Sequence, residues 1–295
     1  MTKINFTVLI GPGMSPRDNL FGLENRFICL QQSALHPFIY RGNPLTNAFD
    51  GFTAALPSAT QFISIWEVDG IYCYTLIGFN NTYSTANFLS STTYTGSSPG
   101  NFRPIEFNNL WTSGNFYSSN GITSWTACTT DSGAHTITGI GTRVECNNTV
   151  AVCVLRTTNT SGSYKLHYST NGTDWLQTSV ASFSSSFCDI AYFNGTFFVT
   201  NDNLNEVLTS TDGTNWTSTA LNIGIRYGVN TDGKSAFVLG SSEILITLDG
   251  VTWARITTPT SDVQLFRGAI YCFGYLWGYS YAGNSYAAAL HYVID

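Results

Sequence analysis

Between Ile190 and Val199 the chain reads Ile-Ala-Tyr-Phe-Asn-Gly-Thr-Phe-Phe-Val, two apolar runs divided by a two-residue polar turn. Runs of this length suit buried strands, and Asn-Gly tolerates the positive φ angles of a tight hairpin. The pattern recurs along the chain. Turns fall at Glu24-Asn25, Asp69-Gly70, Asn108-Asn109, Asn147-Asn148, Asn194-Gly195, Asp232-Gly233 and Phe273-Gly274, spaced 38 to 47 residues apart. That spacing is the length of one four-stranded antiparallel unit.

A second periodic signal follows several of these hairpins. Tyr-Ser-Thr-Asn-Gly-Thr-Asp-Trp at 168–175, Thr-Ser-Thr-Asp-Gly-Thr-Asn-Trp at 209–216 and Ile-Thr-Leu-Asp-Gly-Val-Thr-Trp at 246–253 align, and 117–125 is a copy with one extra residue. Trp175, Trp216 and Trp253 recur at intervals of 41 and 37 residues. In such a turn the Asp or Asn side chain accepts bonds from nearby backbone N–H groups, and the following Gly takes a positive φ. The Trp is expected between neighbouring units. These repeats predict an all-β chain, a seven-bladed β-propeller.

The chain ends bear on how such a ring closes. Blade seven, from about Leu265, uses up the sequence with its third strand, Tyr286 to Val293, while Ile4 to Ile10 precedes the first hairpin without a blade of its own. Pairing these two orphan edges closes the ring and removes an exposed edge. Residues 1–12 are therefore expected to be the closing strand of the last blade and 13–295 a single propeller domain; the alternative is that 1–20 form a mobile or partner-binding arm.

Composition narrows the function classes. Charged residues are 10% and aromatics 15% of the chain, with two Met and nothing resembling a long helical stretch. A net charge of −6 with scattered Arg gives no basic stripe, so nucleic acid is not expected as a partner. The apolar run Phe6–Ile10 is too short for an export signal, and no apolar run approaches a membrane span. The seven cysteines, at 29, 73, 128, 146, 153, 188 and 272, sit mostly in apolar runs without Cys-x-x-Cys or zinc spacing, and read as buried reduced thiols. The sequons at Asn171, Asn194 and Asn215 fall where turns require Asn. No motif calls for a cofactor or a metal, and His36, His135, His167 and His291 are isolated.

The aligned segments resemble the Asp-box (BNR-type) repeats of sialidase-like propellers. The residues carrying the resemblance are Ser169, Asn171, Gly172 and Trp175; Ser210, Asp212, Gly213 and Trp216; and Thr247, Asp249, Gly250 and Trp253. Gly directly follows Asp here and one residue fewer precedes Trp than in the usual Ser-x-Asp-x-Gly-x-Thr-Trp form. This compact form resembles that of bacteriophage structural proteins and bacterial surface proteins.

The resemblance, with the absence of an export signal, the sparse charge and the unpaired cysteines, implies a non-enzymatic bacteriophage virion component on a tail tip, fibre or capsid surface. Such a component is made in the host cytoplasm and resides in the virion. Its partners would be other virion subunits or a host-surface glycan or protein, within a homo- or hetero-oligomeric assembly. The alternatives are a sialidase-like glycosidase and a glycan-binding lectin. For the glycosidase, Phe102-Arg103-Pro104-Ile105 scrambles the family's Phe-Arg-Ile-Pro order, so no catalytic residue is assigned.

The hairpin turns and boxes should share one face, leaving variable loops at 32–47, 90–102, 129–139, 156–163 and 279–285 to the other. Candidate binding residues there are His36, Arg41, Tyr94, His135, Arg156, Tyr279 and Tyr281.

Overall fold

The computed structural model describes residues 8–10, 19–23, 26–30, 38–43, 48–53, 62–76, 81–86, 92–94, 98–99, 103–131, 144–156, 164–180, 188–201, 206–223, 225–231, 235–240, 243–257, 269–272, 275–279 and 287–290. Every regular element among them is a strand.

After β1 (Val8–Ile10), strands β2 (Asn19–Leu23) and β3 (Arg26–Leu30) pair antiparallel, as do β4 (Phe38–Asn43) and β5 (Ala48–Thr53), with β4 beside β3. An antiparallel meander then repeats. Its first copy is β6 (Phe62–Val68), β7 (Ile71–Leu76), β8 (Thr82–Thr85) and β9 (Thr92–Tyr94). The second is β10 (Ile105–Phe107), β11 (Leu110–Thr112), β12 (Phe116–Ser118) and β13 (Thr126–Ala127).

Beyond the short β14 (Thr129–Thr130), β15 (Val144–Cys146), β16 (Ala151–Arg156), β17 (Tyr164–Ser169) and β18 (Asp174–Gln177) form the next sheet. It is followed by β19 (Cys188–Phe193), β20 (Thr196–Asn201), β21 (Glu206–Ser210) and β22 (Thr217–Ala220). Then come β23 (Ile225–Thr231), β24 (Ala236–Gly240), β25 (Glu243–Thr247) and β26 (Ala254–Thr257).

The last sheet holds β27 (Ala269–Cys272), β28 (Tyr275–Tyr279) and β29 (Ala287–Leu290). Its fourth strand is β1, antiparallel to β29 with Val8 opposite Leu290 and Ile10 opposite Ala288. The edge that lacks a partner within its own stretch of chain is thus completed from the other end of the sequence.

First strands of successive sheets lie beside one another: β10 by β15, β15 by β19, β19 by β23, β23 by β27, and β27 by β2, which also meets β6. Strand direction alternates within each sheet, so the turn after the first strand and the turn after the third emerge at the same end. The expected hairpin positions 69–70, 108–109, 147–148 and 194–195 are turns between first and second strands. Positions 24–25, 232–233 and 273–274 fall between paired strands but lie outside the described residues.

The core explains why these strands read as continuous apolar runs. On β16 and the residue before it, Val150, Val152 and Val154 pack with Ile190, Phe197, Val199 and Leu208 of the next sheet. The alternate residues Ala151, Cys153 and Leu155 pack with Phe107 of the preceding sheet and with Trp175. A strand with period-two side chains and buried neighbours on both faces must be apolar at every position. Strand β20 repeats the arrangement, with Phe197 and Val199 on one side and Phe198 on the other.

One element departs from the four-stranded expectation. Strand β14 adds to the outer edge of the β15–β18 sheet, parallel to β18, with Thr129 opposite Asp174 and Thr130 opposite Trp175. The segment 128–131 leaves the preceding sheet and forms a strap across the boundary. Thr129 N–H donates to Thr173 O at 2.9 Å, and Gln177 N–H donates to an Asp131 carboxylate oxygen at 3.0 Å.

Candidate functional site

The turns that close third strand to fourth are the most fully specified polar structures described. In the β17–β18 turn, Gly172 N–H donates to Ser169 Oγ at 2.9 Å, and the Thr173 and Asp174 N–H groups converge on Asn171 Oδ1 at 3.0 and 2.9 Å. In the β21–β22 turn Gly213 N–H donates to Ser210 Oγ at 2.8 Å, and Thr214 and Asn215 N–H reach Asp212 Oδ1, both at 2.8 Å. The β25–β26 turn does the same with Thr247 and Asp249: Gly250 N–H donates at 2.9 Å, and Val251 and Thr252 N–H at 2.8 and 2.7 Å. The β12–β13 turn uses Ser118 and Asn120 likewise, its extra residue Ser124 taking φ +57°.

These bonds set the electrostatics. The Asn215 amide, followed by the Asn215 and Thr214 backbone N–H groups, holds the Asp212 carboxyl below the usual carboxylate range. For Asp249 the Thr252 and then the Val251 N–H groups do so. Asp174 is lowered by the Thr129 hydroxyl of the strap and then by the Asn171 amide. All three carboxylates face solvent, and each is tied to donors from its own turn or strap.

Each turn also grips the sheet before it. A Cβ on Gly172 would lie 3.4 Å from the Phe107 ring, one on Gly213 2.9 Å from Val152, and one on Gly250 3.2 Å from Phe198. Asn108, in the hairpin of the β10–β13 sheet, donates its amide to Thr170 O at 2.8 Å, and the Trp66 indole N–H donates to Gly121 O at 2.8 Å. The Trp residues follow the same direction. Trp125 meets Trp66 edge-on at 6.1 Å, Trp253 meets Phe198 at 5.9 Å, and Trp175 is 0% exposed against the Phe107 cluster. The twelve motif residues are therefore an inter-sheet lock, in which the Ser, Thr, Asn and Asp side chains bond within their own turns.

Of the candidate binding residues, His36, His135 and Tyr281 lie outside the described residues. The rest are strand residues, which corrects their assignment to loops. Arg41 lies within β4 opposite Asp50, because the expected loop 32–47 contains a strand there. Tyr94 ends β9 opposite Thr82, within the expected loop 90–102, and Ser84 donates to its hydroxyl at 3.5 Å. Arg156 ends β16 opposite Tyr164, and Tyr279 ends β28 opposite Ala287. Polar residues at strand termini pair in the ladder as readily as apolar ones, so polarity alone misplaced these boundaries.

Sequence reasoning missed how three cysteines gather at the boundary beneath the strap. Cys128 and Cys146 pack against the cluster that contains Cys153. Their thiols, and that of Cys73, are free. Burial pushes Cys73 up to about 12, Cys146 up to about 11 and Cys153 well above the ordinary thiol value. Cys128 is pushed up to about 11 by burial, against the pull of the Trp175 indole and Thr112 hydroxyl. Burial thus disfavours the thiolate at all four positions, where the side chains contribute to packing.

No family model matches the chain, and no curated protein matches its sequence. Solved structures do resemble it. Virginiamycin B lyase from Staphylococcus aureus is 12% identical with a TM-score of 0.65 over 99% of this chain and 100% of that one. BBS1N, crystallised in complex with ARL6DN, is 12% identical with a TM-score of 0.58 over 94% and 93%. BamB from Moraxella catarrhalis is 10% identical with a TM-score of 0.54 over 97% and 98%.

These neighbours overturn the bacteriophage virion reading, since they are a lyase and two other propellers, and nothing in them points to a virion. The compact turn that suggested it is accounted for by its own internal bonds. What the likeness establishes is the fold: the chain is a β-propeller.

Proposed function

We propose that this chain is a seven-bladed propeller with Asp-box-type turns, closed by its N-terminal strand, that works as a non-catalytic platform for a protein partner. Counting β2–β5 as one blade and the five meanders plus the β27–β29 sheet as six more supports the number. The pairing of β1 with β29 supports residues 1–12 as the closing segment of a single domain over 13–295.

The observation that carries the reading is a division between the two ends of the strands. At one end the turns between third and fourth strands, with the Asn108 hairpin, hold successive sheets together. Tyr94, Arg156 and Tyr279 all terminate strands that run away from that end. Among the described residues this second end has only scattered contacts between sheets, such as Gly114 against Cys153 and Arg255 to Leu221 O, and its strand termini are aromatic and Arg residues of the kind that anchor protein interfaces. A binding role is further supported by the use of the Asp174, Asp212 and Asp249 carboxylates in turns and of the Cys128, Cys146 and Cys153 thiols in packing. Among the similar structures, BBS1N is itself a propeller holding a protein, ARL6DN.

Site-specific photo-crosslinking in the source cell tests this. A crosslinker at position 94, 156 or 279 should capture one protein reproducibly, while the same group at 70 or 195, in the hairpins of the locking end, should not. Capture from 70 and 195 alone would overturn the assignment of the face. Absence of any capture together with turnover of a small molecule would overturn the platform itself.

A further inference from the structure

We propose that the Asn194–Gly195 peptide is a site of spontaneous covalent modification, losing ammonia through a succinimide to give aspartyl and isoaspartyl forms that differ in their effect on the lock between two blades.

Three Asn-Gly pairs occur in the sequence, at 120–121, 171–172 and 194–195, and the fold treats them differently. The reaction needs the Gly backbone nitrogen, deprotonated, to attack the Asn side-chain carbonyl carbon. In the two box turns both reactants are held. Gly121 and Gly172 N–H donate to Ser118 and Ser169 Oγ at 3.2 and 2.9 Å. Asn120 and Asn171 each accept two backbone N–H bonds at Oδ1 and donate their amide nitrogen, to Thr123 at 2.8 Å and to Asp174 at 2.6 Å respectively. Their glycines abut Trp111 and Phe107.

At 194–195 such restraints are missing among the described residues. Both residues are exposed, no bond there fixes the Asn194 amide or the Gly195 N–H, and a Cβ placed on Gly195 would meet nothing within 4 Å. The turn is then free to sample the attacking rotamer.

The chemistry closes without redox. The Gly195 nitrogen forms a bond to Cγ of Asn194, the Cγ–Nδ2 bond breaks and ammonia leaves. Water then opens the succinimide at either carbonyl, leaving a normal or a side-chain-linked peptide bond. The two products meet the fold differently. The normal aspartyl form has a structural twin in the same protein: Asp69-Gly70 has φ +48° and +80°, against +48° and +79° for Asn194-Gly195. The isoaspartyl form adds a methylene to a two-residue loop whose ends, Phe193 and Thr196, are directly paired. That pairing sets the register of β20, whose Phe198 supports Gly250 and Trp253 of the next blade.

The test is timed incubation of the whole chain at mildly alkaline pH, native and in urea, followed by peptide mapping that separates aspartyl from isoaspartyl, with isoaspartyl methyltransferase labelling as a second readout. In the native protein, conversion at 194 should outpace that at 120 and 171 by roughly a hundredfold, the factor that about three net hydrogen bonds impose. In urea the three sites should converge. The Asn194→Asp chain should keep the parent's urea midpoint, whereas the isoaspartyl fraction should unfold earlier. Native conversion at 120 or 171 as fast as at 194, or conversion at 194 only in urea, would overturn the proposal.

Discussion

The β17–β18 and β21–β22 turns share one framework, Ser-Thr-x-Gly-Thr-x-Trp, and differ at its two x positions, where they solve one electrostatic problem in opposite ways. In the β17–β18 turn, neutral Asn171 donates its amide to the Asp174 carboxylate at 2.6 Å; in the β21–β22 turn, the Asp212 carboxylate receives the amide of Asn215 at 2.8 Å. Each turn holds one carboxylate and one amide, exchanged between the two positions. The β25–β26 turn pairs Asp249 with Thr252, and the β12–β13 turn pairs Asn120 with Thr123. The Oδ1 atom that gathers backbone N–H groups can belong to either residue type, so what the turn forbids is two carboxylates facing each other. The other difference is cover. Trp175, under the strap, is 0% exposed, while Trp216 is half-buried and bonds Gly213 O at 3.1 Å through its indole.

The difference in cover yields the largest expected effect. Trp175→Ala empties a sealed site and should cost about 3–5 kcal/mol, read as a shift in urea midpoint at constant slope. Trp216→Ala exposes a position already open to water and should cost about half of that. Equal losses would mean that the strap adds nothing to the burial of Trp175.

The grip of each turn on the preceding blade gives a second contrast. Gly213 has φ +73° and a Cβ there would approach Val152 to 2.9 Å, whereas Gly70, at φ +80°, has nothing within 4 Å. Gly70→Ala should therefore show the left-handed backbone cost alone, about 1–2 kcal/mol. Gly213→Ala should add an overpacking cost of about 1–3 kcal/mol. If the two variants unfold together, the turn does not bear on Val152.

Much of this was legible in the sequence. Asn-Gly and Asp-Gly between apolar runs mark hairpins because their backbone preference is local, and Ser169, Asn171 and Gly172 announce a turn that depends on no distant residue. The partner of Val8–Ile10 was legible too, as an unpaired edge in the last sheet. What could not be read was set by tertiary contact. Thr129 and Thr130 form a strand only because β18 offers its outer edge, and nothing in Cys128-Thr-Thr-Asp131 carries strand periodicity. Arg41, Arg156 and Tyr279 look like loop residues by polarity, and ladder pairing decides otherwise. Function was the least legible, because the motif repeated most often turned out to bond its own hydroxyl, amide and carboxylate groups within the turn.

A charge swap sharpens the electrostatic comparison, with smaller effects and opposite signs. Asp212 is held below its ordinary value of about 3.9, so its contribution is present above that pH and is lost as pH falls toward the folded value. Asp212→Asn should lower stability near neutral pH, by setting two amides face to face, and flatten the loss between about pH 4 and about pH 2. Asn171→Asp places a carboxylate against Asp174, so it should destabilise at neutral pH and recover on acidification. Urea midpoints of both variants on either side of that range decide the matter: parallel pH profiles would break the reciprocity.

The smallest effect concerns the strap alone. Asp131 accepts Gln177 N–H at 3.0 Å on the outer edge of β18, where a four-stranded blade would leave that strand to water. Asp131→Ala should leave the global unfolding midpoint nearly unchanged, since the bond is exposed and the strap's own pairing through Thr129 and Thr173 persists. Locally, the Gln177 amide should exchange with solvent about tenfold faster, the change expected from one net hydrogen bond to a charged group. Amides of β22 lie in the next blade and should keep their rates. Acceleration spread over both strands would mean that the strap tightens the sheet stack as a whole, whereas a change confined to Gln177 makes it a cover for the outer edge of β18 and for Trp175 beneath it.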